Sequence, residues 1–227
     1  MQLSNNITVP AGETLRLVFL NEPAVQLTIE QQAGSTLILH VINLPDNTRP
    51  QEPGTDNPQP TTNDITVRHL GPDCKTRLYA LAYVTGRDRV TTHTHVFHEV
   101  GRGRSEQLIK FVLDDEAKGD FYGELRIHQD AQQVEAAQTN RNLLLSPTAT
   151  MNTRPQLEIY ADDVKASHGA TTGQLDDSAL FYMQQRGIAR EHARRMLIGA
   201  FMKDVVLTID DERQREQLIE TIDGIVQ

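Results

Sequence analysis

Within seven residues, His93-Thr94-His95-Val96-Phe97-His98-Glu99, the chain places three of its eight histidines and a carboxylate. On an extended strand side chains alternate, so His93 and His95 share one face and His98 points to the other. Two neutral imidazoles on one face, with Glu99 four residues after the second, are a donor set that can coordinate one divalent metal. The same imidazoles can also serve as hydrogen-bonded groups of a large β body. Nucleophile chemistry has no comparable signal: Gly-x-Ser-x-Gly is absent, and the lone cysteine, Cys74, follows Gly71-Pro72 in turn-like composition. One thiol forms no internal disulfide, and it supplies too few thiolates for a structural zinc or an iron-sulfur centre unaided. Gly101-Arg102-Gly103-Arg104 has the glycines and cations of an anion-binding loop. It follows a strand without opening a helix and lacks the Lys-Ser or Lys-Thr ending of a phosphate loop, which makes it a tight turn.

These residues sit in a chain whose period changes once. All 10 prolines lie at or before Pro155, and the apolar residues up to about Leu175 alternate with period two. Val25–Ile29 and Thr36–Val41 are the clearest strands. Ile7–Val9, Leu15–Leu20, Ile65–His69, Leu78–Val84, Thr92–Val100, Leu108–Leu113, Phe121–Ile127 and Leu157–Tyr160 are further candidates, separated by Gly, Pro, Asn or Asp. A sandwich, a barrel and a parallel solenoid all fit this density of strands, and no strict repeat selects one. A proline-rich surface loop is expected over 43–63. After Leu175 the spacing becomes helical. Asp176 and Asp177 can cap a first helix through Ala179, Phe181, Tyr182 and Met183 that Gly187 ends. A second from Glu191 is expected to bury Ala193, Met196, Leu197, Ala200, Phe201 and Val205, and a third, Asp210–Ile225, to bury Leu218, Ile219, Ile222 and Ile225. Residues 1–174 thus form a mainly β body and 175–227 a helical region.

Composition narrows the partners. With 22 basic against 31 acidic residues the net charge is -9, the wrong sign for binding nucleic acid or an anionic membrane. No apolar run approaches the roughly 20 residues that span a bilayer. The first ten residues have neither the basic nor the apolar region of a signal peptide, so a cytoplasmic location is expected.

Two resemblances bear on function. With Gly86 upstream, His93, His95 and Glu99 resemble the first motif of the cupin barrels, which would imply a metal-dependent enzyme; Gly119–His128 lacks the proline and the spacing of the second cupin motif. A much longer likeness runs through Gln138-Thr139-Asn140-Arg141-Asn142-Leu143-Leu144-Leu145-Ser146 and Pro155-Gln156-Leu157-Glu158-Ile159-Tyr160-Ala161-Asp162-Asp163-Val164-Lys165-Ala166-Ser167-His168-Gly169-Ala170-Thr171-Thr172-Gly173. It continues through Leu180-Phe181-Tyr182 and Gln185-Arg186-Gly187-Ile188. The stretch resembles the SufB/SufD proteins of iron-sulfur cluster assembly, SufD more closely, from about His98 to Val206.

The resemblance implies a right-handed parallel β-helix flanked by helices. It implies a non-catalytic scaffold that pairs with a SufB-like paralogue through the β-helix and docks a SufC-like ATPase on its helical region, where Phe181, Arg186, Arg190 and Arg194 are the expected contacts. A transient iron-sulfur cluster shared with the partner, and none in the isolated chain, is the implied cargo, with His168 the candidate ligand. The family commonly has cysteine where this chain has Ala166, so no thiolate is expected there. SufD proteins usually carry a helical N-terminal domain, whereas here the β pattern begins by Ile7, implying a short form or a fragment. Asn140, Asn142, Asn152 and Thr153 are expected to stack at turns of the solenoid, Asp162 and Asp163 to cap turns, and Glu158–Val164 to form one rung that exposes His168 before the flexible Gly169 and Gly173. A β-helix isolated from its paralogue is expected to pair with itself as a homodimer.

Overall fold

The computed structural model describes residues 6–45 and 60–226. Its twelve strands alternate between two sheets. β1 (Asn6–Val9), β3 (Ala24–Gln31), β5 (Thr61–His69), β7 (Arg89–His98), β9 (Lys118–Ile127) and β11 (Thr150–Ile159) form the first sheet in that order. β2 (Thr14–Leu20), β4 (Thr36–Asn43), β6 (Lys75–Val84), β8 (Arg104–Leu113), β10 (Val134–Leu144) and β12 (Val164–Gly173) form the second. The ladders of both sheets are parallel. A chain that visits two parallel sheets in turn climbs one coil for each pair of visits, which is a parallel β-helix; sandwiches and barrels of this strand density are antiparallel and are excluded.

The first five coils turn from the first sheet to the second through a residue of positive φ: Gly12, Gly34, Asp73, Arg102 and Gln133. The turns stack as the strands do, with Gly12 N–H donating to Ala33 O, Gly34 to Pro72 O and Arg102 to Gln132 O. The expected tight turn at Gly101–Arg104 is present, its last residue opening β8. Of the proline-rich loop expected over 43–63, residues 46–59 lie outside the described residues. Its described ends belong to the ladders instead, since Asn43 closes β4 and Thr61–Asn63 open β5.

Inward side chains of the two sheets meet in one core containing Ile29, Leu39, Ile65, Leu78, Val96, Ile109, Phe111 and Leu125. Polar groups interrupt it. His69 and His98 are in register on β5 and β7, fully buried, with ring centroids 4.3 Å apart. His69 Nε2 lies 2.8 Å from Thr76 Oγ1, and that hydroxyl donates to Gln31 Oε1, so it accepts the imidazole N–H; His98 Nε2 meets Ser105 Oγ at 2.8 Å. Neither Nδ1 has a hydrogen-bond partner among the described residues. Both face Gly103, where a Cβ would stand 2.6 Å from His98 Nδ1 and 2.8 Å from His69 Nδ1, so glycine is the side chain that lets β8 approach the pair. Cys74 is buried in the stacked turns, its Sγ against the carbonyls of Gly71 and Gln32, and burial pushes its thiol up.

Three helices, α1 (Asp177–Gln185), α2 (Arg190–Val206) and α3 (Glu212–Ile225), follow the last strand. Asp176 caps α1 by accepting from Ser178 N–H, Asp211 caps α3 by accepting from Gln214 N–H, and Gly187 (φ 83°) follows the end of α1. α2 lies on the outer face of the second sheet, and a second apolar cluster joins Ile38, Ile42, Tyr79, Leu81, Val112 and Leu143 to Ile198, Met202, Val205, Leu218 and Ile222. The stripe of α3 is as expected. That of α2 is not: Ile198, Gly199, Met202 and Val206 are buried with Ala193 and Val205, while Met196 and Ala200 are exposed. The correction is a rotation of the helix about its axis, imposed by Lys110. This lysine is 1% exposed on β8; its Nζ donates to Phe201 O and to Asp204 and sits 4.2 Å from the centre of the Phe201 ring. Such a buried ammonium must keep those partners, so it fixes which side of α2 faces the sheet.

Two measurements test this core. Burial pushes the imidazoles of His98 and His40 down to about 4, and burial with the neighbouring His98 holds that of His69 well below its ordinary value. Below pH 6.5 the unfolded chain therefore takes up protons that the folded chain refuses, and stability falls as pH drops from 6.5 to about 4, by on the order of 3 kcal/mol for His98 alone. Urea midpoints should decline over that window and decline less in His98→Gln; midpoints that are flat from pH 7 to pH 5 would contradict neutral buried imidazoles. Gly103→Ala should cost about 1–3 kcal/mol in the same assay, because its methyl collides with two buried rings.

Candidate functional site

The strand geometry of β7 places His93, His95 and Phe97 on the outer face of the first sheet and Thr94, Val96 and His98 in the core, which is the alternation expected. The outer face does not gather a metal site. His95 Nδ1 is 3.0 Å from Glu124 Oε2, and the other oxygen of Glu124 takes Arg126 at 2.8 Å. Arg126 also meets Glu158 at 2.7 Å, and its guanidinium lies over the Phe97 ring. His93 packs edge-on against Tyr122. Glu99 is turned away to Arg68, 2.6 Å distant. Among the described residues no three His, Cys, Asp or Glu side chains are placed to hold a metal ion. The cupin-like reading of His93, His95 and Glu99 is corrected on two counts: the carboxylates nearest these imidazoles are spent on arginines, and the sheets are parallel.

At the far end of the solenoid the last coil is β11 and β12. Among the described residues each pairs on one side only, β11 with β9 and β12 with β10. His168 stands in the middle of β12 and is exposed. Gly169 and Gly173 are also strand residues, without positive φ, so His168 owes its exposure to the open end of the helix rather than to the turn expected after it. The expected rung at Glu158–Val164 is divided: Glu158 and Ile159 end β11, Val164 opens β12, and residues 160–163 connect them, with Asp162 and Asp163 in the bend. Parallel register puts His168 beside Gln138 and Ala166 beside Ala136, all on the inward side. Ala166 packs against the core.

The interior becomes polar as this end is approached. Asn140 and Asn142 are buried strand residues, not turn residues as expected. Asn142 Nδ2 donates to Asn140 Oδ1 and Thr172 Oγ1, Asn140 Nδ2 donates to Ile109 O, and Thr153 Oγ1 donates to Asn140 Oδ1. Asn152 and Thr153 likewise lie within β11. Sequence reasoning passed over Gln138, because its alignment with His168 exists only once β10 and β12 are recognised as neighbours.

The helical candidates divide. Phe181 is 62% exposed and Tyr182 nearly as much, and Arg186 donates to Tyr182 Oη while stacking on its ring, so the three form one surface of α1. Arg190 adjoins them through Asp177 at 3.7 Å. Arg194 is not on that face. It is half-buried and points to Asp114 of the β body, a helix-to-solenoid contact. A surface hollow of about 430 Å³ lies on the second sheet over Arg104, Glu135 and Lys165, whose charges pair with one another.

No helix among the described residues is long and apolar enough to cross a membrane. Residues 55–201 match the family model described as SUF system FeS cluster assembly, SufBD core domain. The iron-sulfur cluster assembly protein SufD of Escherichia coli is 38% identical over 152 residues, 67% of this chain and 36% of that protein. The chloroplastic protein ABCI7 of Arabidopsis thaliana is 38% identical over 165 residues, 72% of this chain and 35% of that protein. A SufBD family protein of Synechocystis is 41% identical over 132 residues, 58% of this chain and 29% of that protein. The chain thus spans about a third of the length of the curated relatives it matches. With a parallel β-helix, a helical region behind it and a family model covering most of its length, this chain belongs to the SufB/SufD family of iron-sulfur cluster assembly proteins and resembles SufD.

Proposed function

We propose that the chain is a cytoplasmic, non-catalytic scaffold of SufD type. Its β-helix, residues 1–174, pairs with a SufB-like paralogue, and its helical region, residues 175–227, docks a SufC-like ATPase that supplies the ATP hydrolysis. The nascent iron-sulfur cluster is cargo held between the partners. The observation that carries this reading is the placement of His168 in the middle of an exposed edge strand. An unpaired parallel edge invites another strand, and a strand that joins there brings its own donors beside an imidazole, a neutral ligand suited to iron. Thiolates would come from the partner, since the single cysteine is buried with its thiol pushed toward the protonated form. Phe181, Arg186 and Arg190 are the contacts for the ATPase, and their charge and aromatic surface suit capture by a folded partner. Arg194 braces α2 against the solenoid.

Reconstitution with a SufB-type and a SufC-type protein tests the reading. His168→Ala should leave thermal unfolding within about 0.5 kcal/mol, because the side chain is exposed, and should lower cluster yield; His168→Cys should restore part of it. Unaltered yield in His168→Ala would remove the ligand role. Phe181→Ala with Arg190→Glu should weaken ATPase capture without changing the β-helix, and unaltered capture would place the ATPase elsewhere. Without partners the edge strand should pair with a second copy, giving a dimer by light scattering at tens of micromolar, whereas a monomer would contradict self-pairing.

A further inference from the structure

On the inward side of the second sheet, Leu39, Leu78, Gln107, Gln138 and His168 succeed one another in register from β4 to β12. Facing them on the first sheet, the column runs Ile65, Thr94, Gly123, Pro155. The core therefore changes from two aliphatic coils to a file of side-chain amides that ends on the exposed imidazole. Gln107 uses its Oε1 to accept from Thr94 Oγ1 at 2.8 Å, and its Nε2 has no partner. Gln138 is 1% exposed, yet neither its Oε1 nor its Nε2 has a hydrogen-bond partner among the described residues. Leaving a buried amide unpaired costs about 1–3 kcal/mol, so its presence in a core needs a reason. Glycine leaves it room: a Cβ on Gly123 would stand 2.4 Å from Gln138 Nε2 and 2.5 Å from Phe121 Cζ, so any other residue there would force these side chains to shift.

We propose that Gln138 is the positioning residue of His168: its Oε1 accepts the Nδ1–H of the imidazole and leaves the Nε2 lone pair facing outward from the open coil. A metal-ligating histidine ordinarily donates its second ring nitrogen to an oxygen acceptor, which fixes tautomer and ring orientation. Gln138 is the buried polar neighbour one coil inward from His168, and Nδ1 is the ring nitrogen nearer the backbone. The amide oxygen has two lone pairs, so it can accept Gln107 Nε2–H from the inner side as well. An amide keeps this acceptor uncharged, which suits a position inside the coil better than a carboxylate. The proposal rests on His168 being a ligand for its purpose, but the pair itself is present or absent without any partner.

Nitrogen-15 chemical shifts of the His168 ring, recorded on the full chain at a pH where the imidazole is neutral, read the tautomer directly. The Nδ1–H form should predominate in the unmodified chain, although a free imidazole side chain prefers Nε2–H. Gln138→Leu should return His168 to the Nε2–H form while circular dichroism retains the β-helix, and Gln138→Glu, which keeps an acceptor oxygen, should hold the Nδ1–H form. If the leucine variant does not fold, the unmodified chain and the glutamate variant still decide the matter. A predominant Nε2–H tautomer in the unmodified chain, or the same populations in Gln138→Leu, would overturn the pairing. A normal tautomer change together with unaffected cluster yield in His168→Ala would instead leave the pairing intact and remove its use as a ligand.

Discussion

The backbone of this fold satisfies its hydrogen bonds along one axis only. Each inner coil donates to and accepts from the coils before and after it, in register, across both sheets, and from that rule the other features follow. Like positions must stack, so a polar residue inside one coil falls beside the inward residue of the next, as His69 does beside His98 and Gln107 beside Gln138. The turns must stack too, which is why residues of positive φ recur from coil to coil. The last coil has no successor, and β11 and β12 keep one side of their backbone unspent.

The axial rule also explains where the molecule tolerates charge. Across the outer face of the first sheet, carboxylates and cations alternate between neighbouring strands, with Arg68 on Glu99, Glu124 between His95 and Arg126, and Arg126 on Glu158. Apart from Glu124 with Arg126, which share β9, these pairs run between neighbouring coils, and they are partly exposed and individually weak. Lys110 is different. It is buried between a strand and a helix, with its attraction to Asp204 and the Phe201 carbonyl set against the loss of water around its ammonium. The outer pairs join coil to coil, whereas Lys110 joins the helical region to the coils.

Alternation in the sequence was enough to find most strands, because Val25–Ile29 or Phe121–Ile127 bury apolar residues on one side. Two strands escaped, for opposite reasons. β10 buries Gln138, Asn140 and Asn142 where apolar residues would be expected, so its inner face looks like a loop. β12 buries almost nothing, so its run of Ala, Ser, Gly and Thr has no pattern to detect. The same two strands carry the candidate site. His168 was reached through family resemblance, and its neighbour Gln138 was out of reach because a register between distant segments is a property of the fold. On α2, the stripe was misjudged because a helix this mixed has no dominant apolar side, and a lysine under it chose the orientation.

The helices lie over four of the six strands of the second sheet: their cluster takes residues from β4, β6, β8 and β10, and none from β12 among the described residues. They act as a spine that binds the middle pages of a book and leaves the last leaf free. In a stack whose stability is a sum of nearest-neighbour terms, the bound coils open only together, while the end coil is held by one interface and its own few buried contacts. Its amides are therefore the ones to exchange with solvent by local opening, independent of the spine. A leaf that lifts alone can be re-laid against a foreign edge without disturbing the volume behind it, and adaptability is in this way confined to the coil that carries the exposed imidazole.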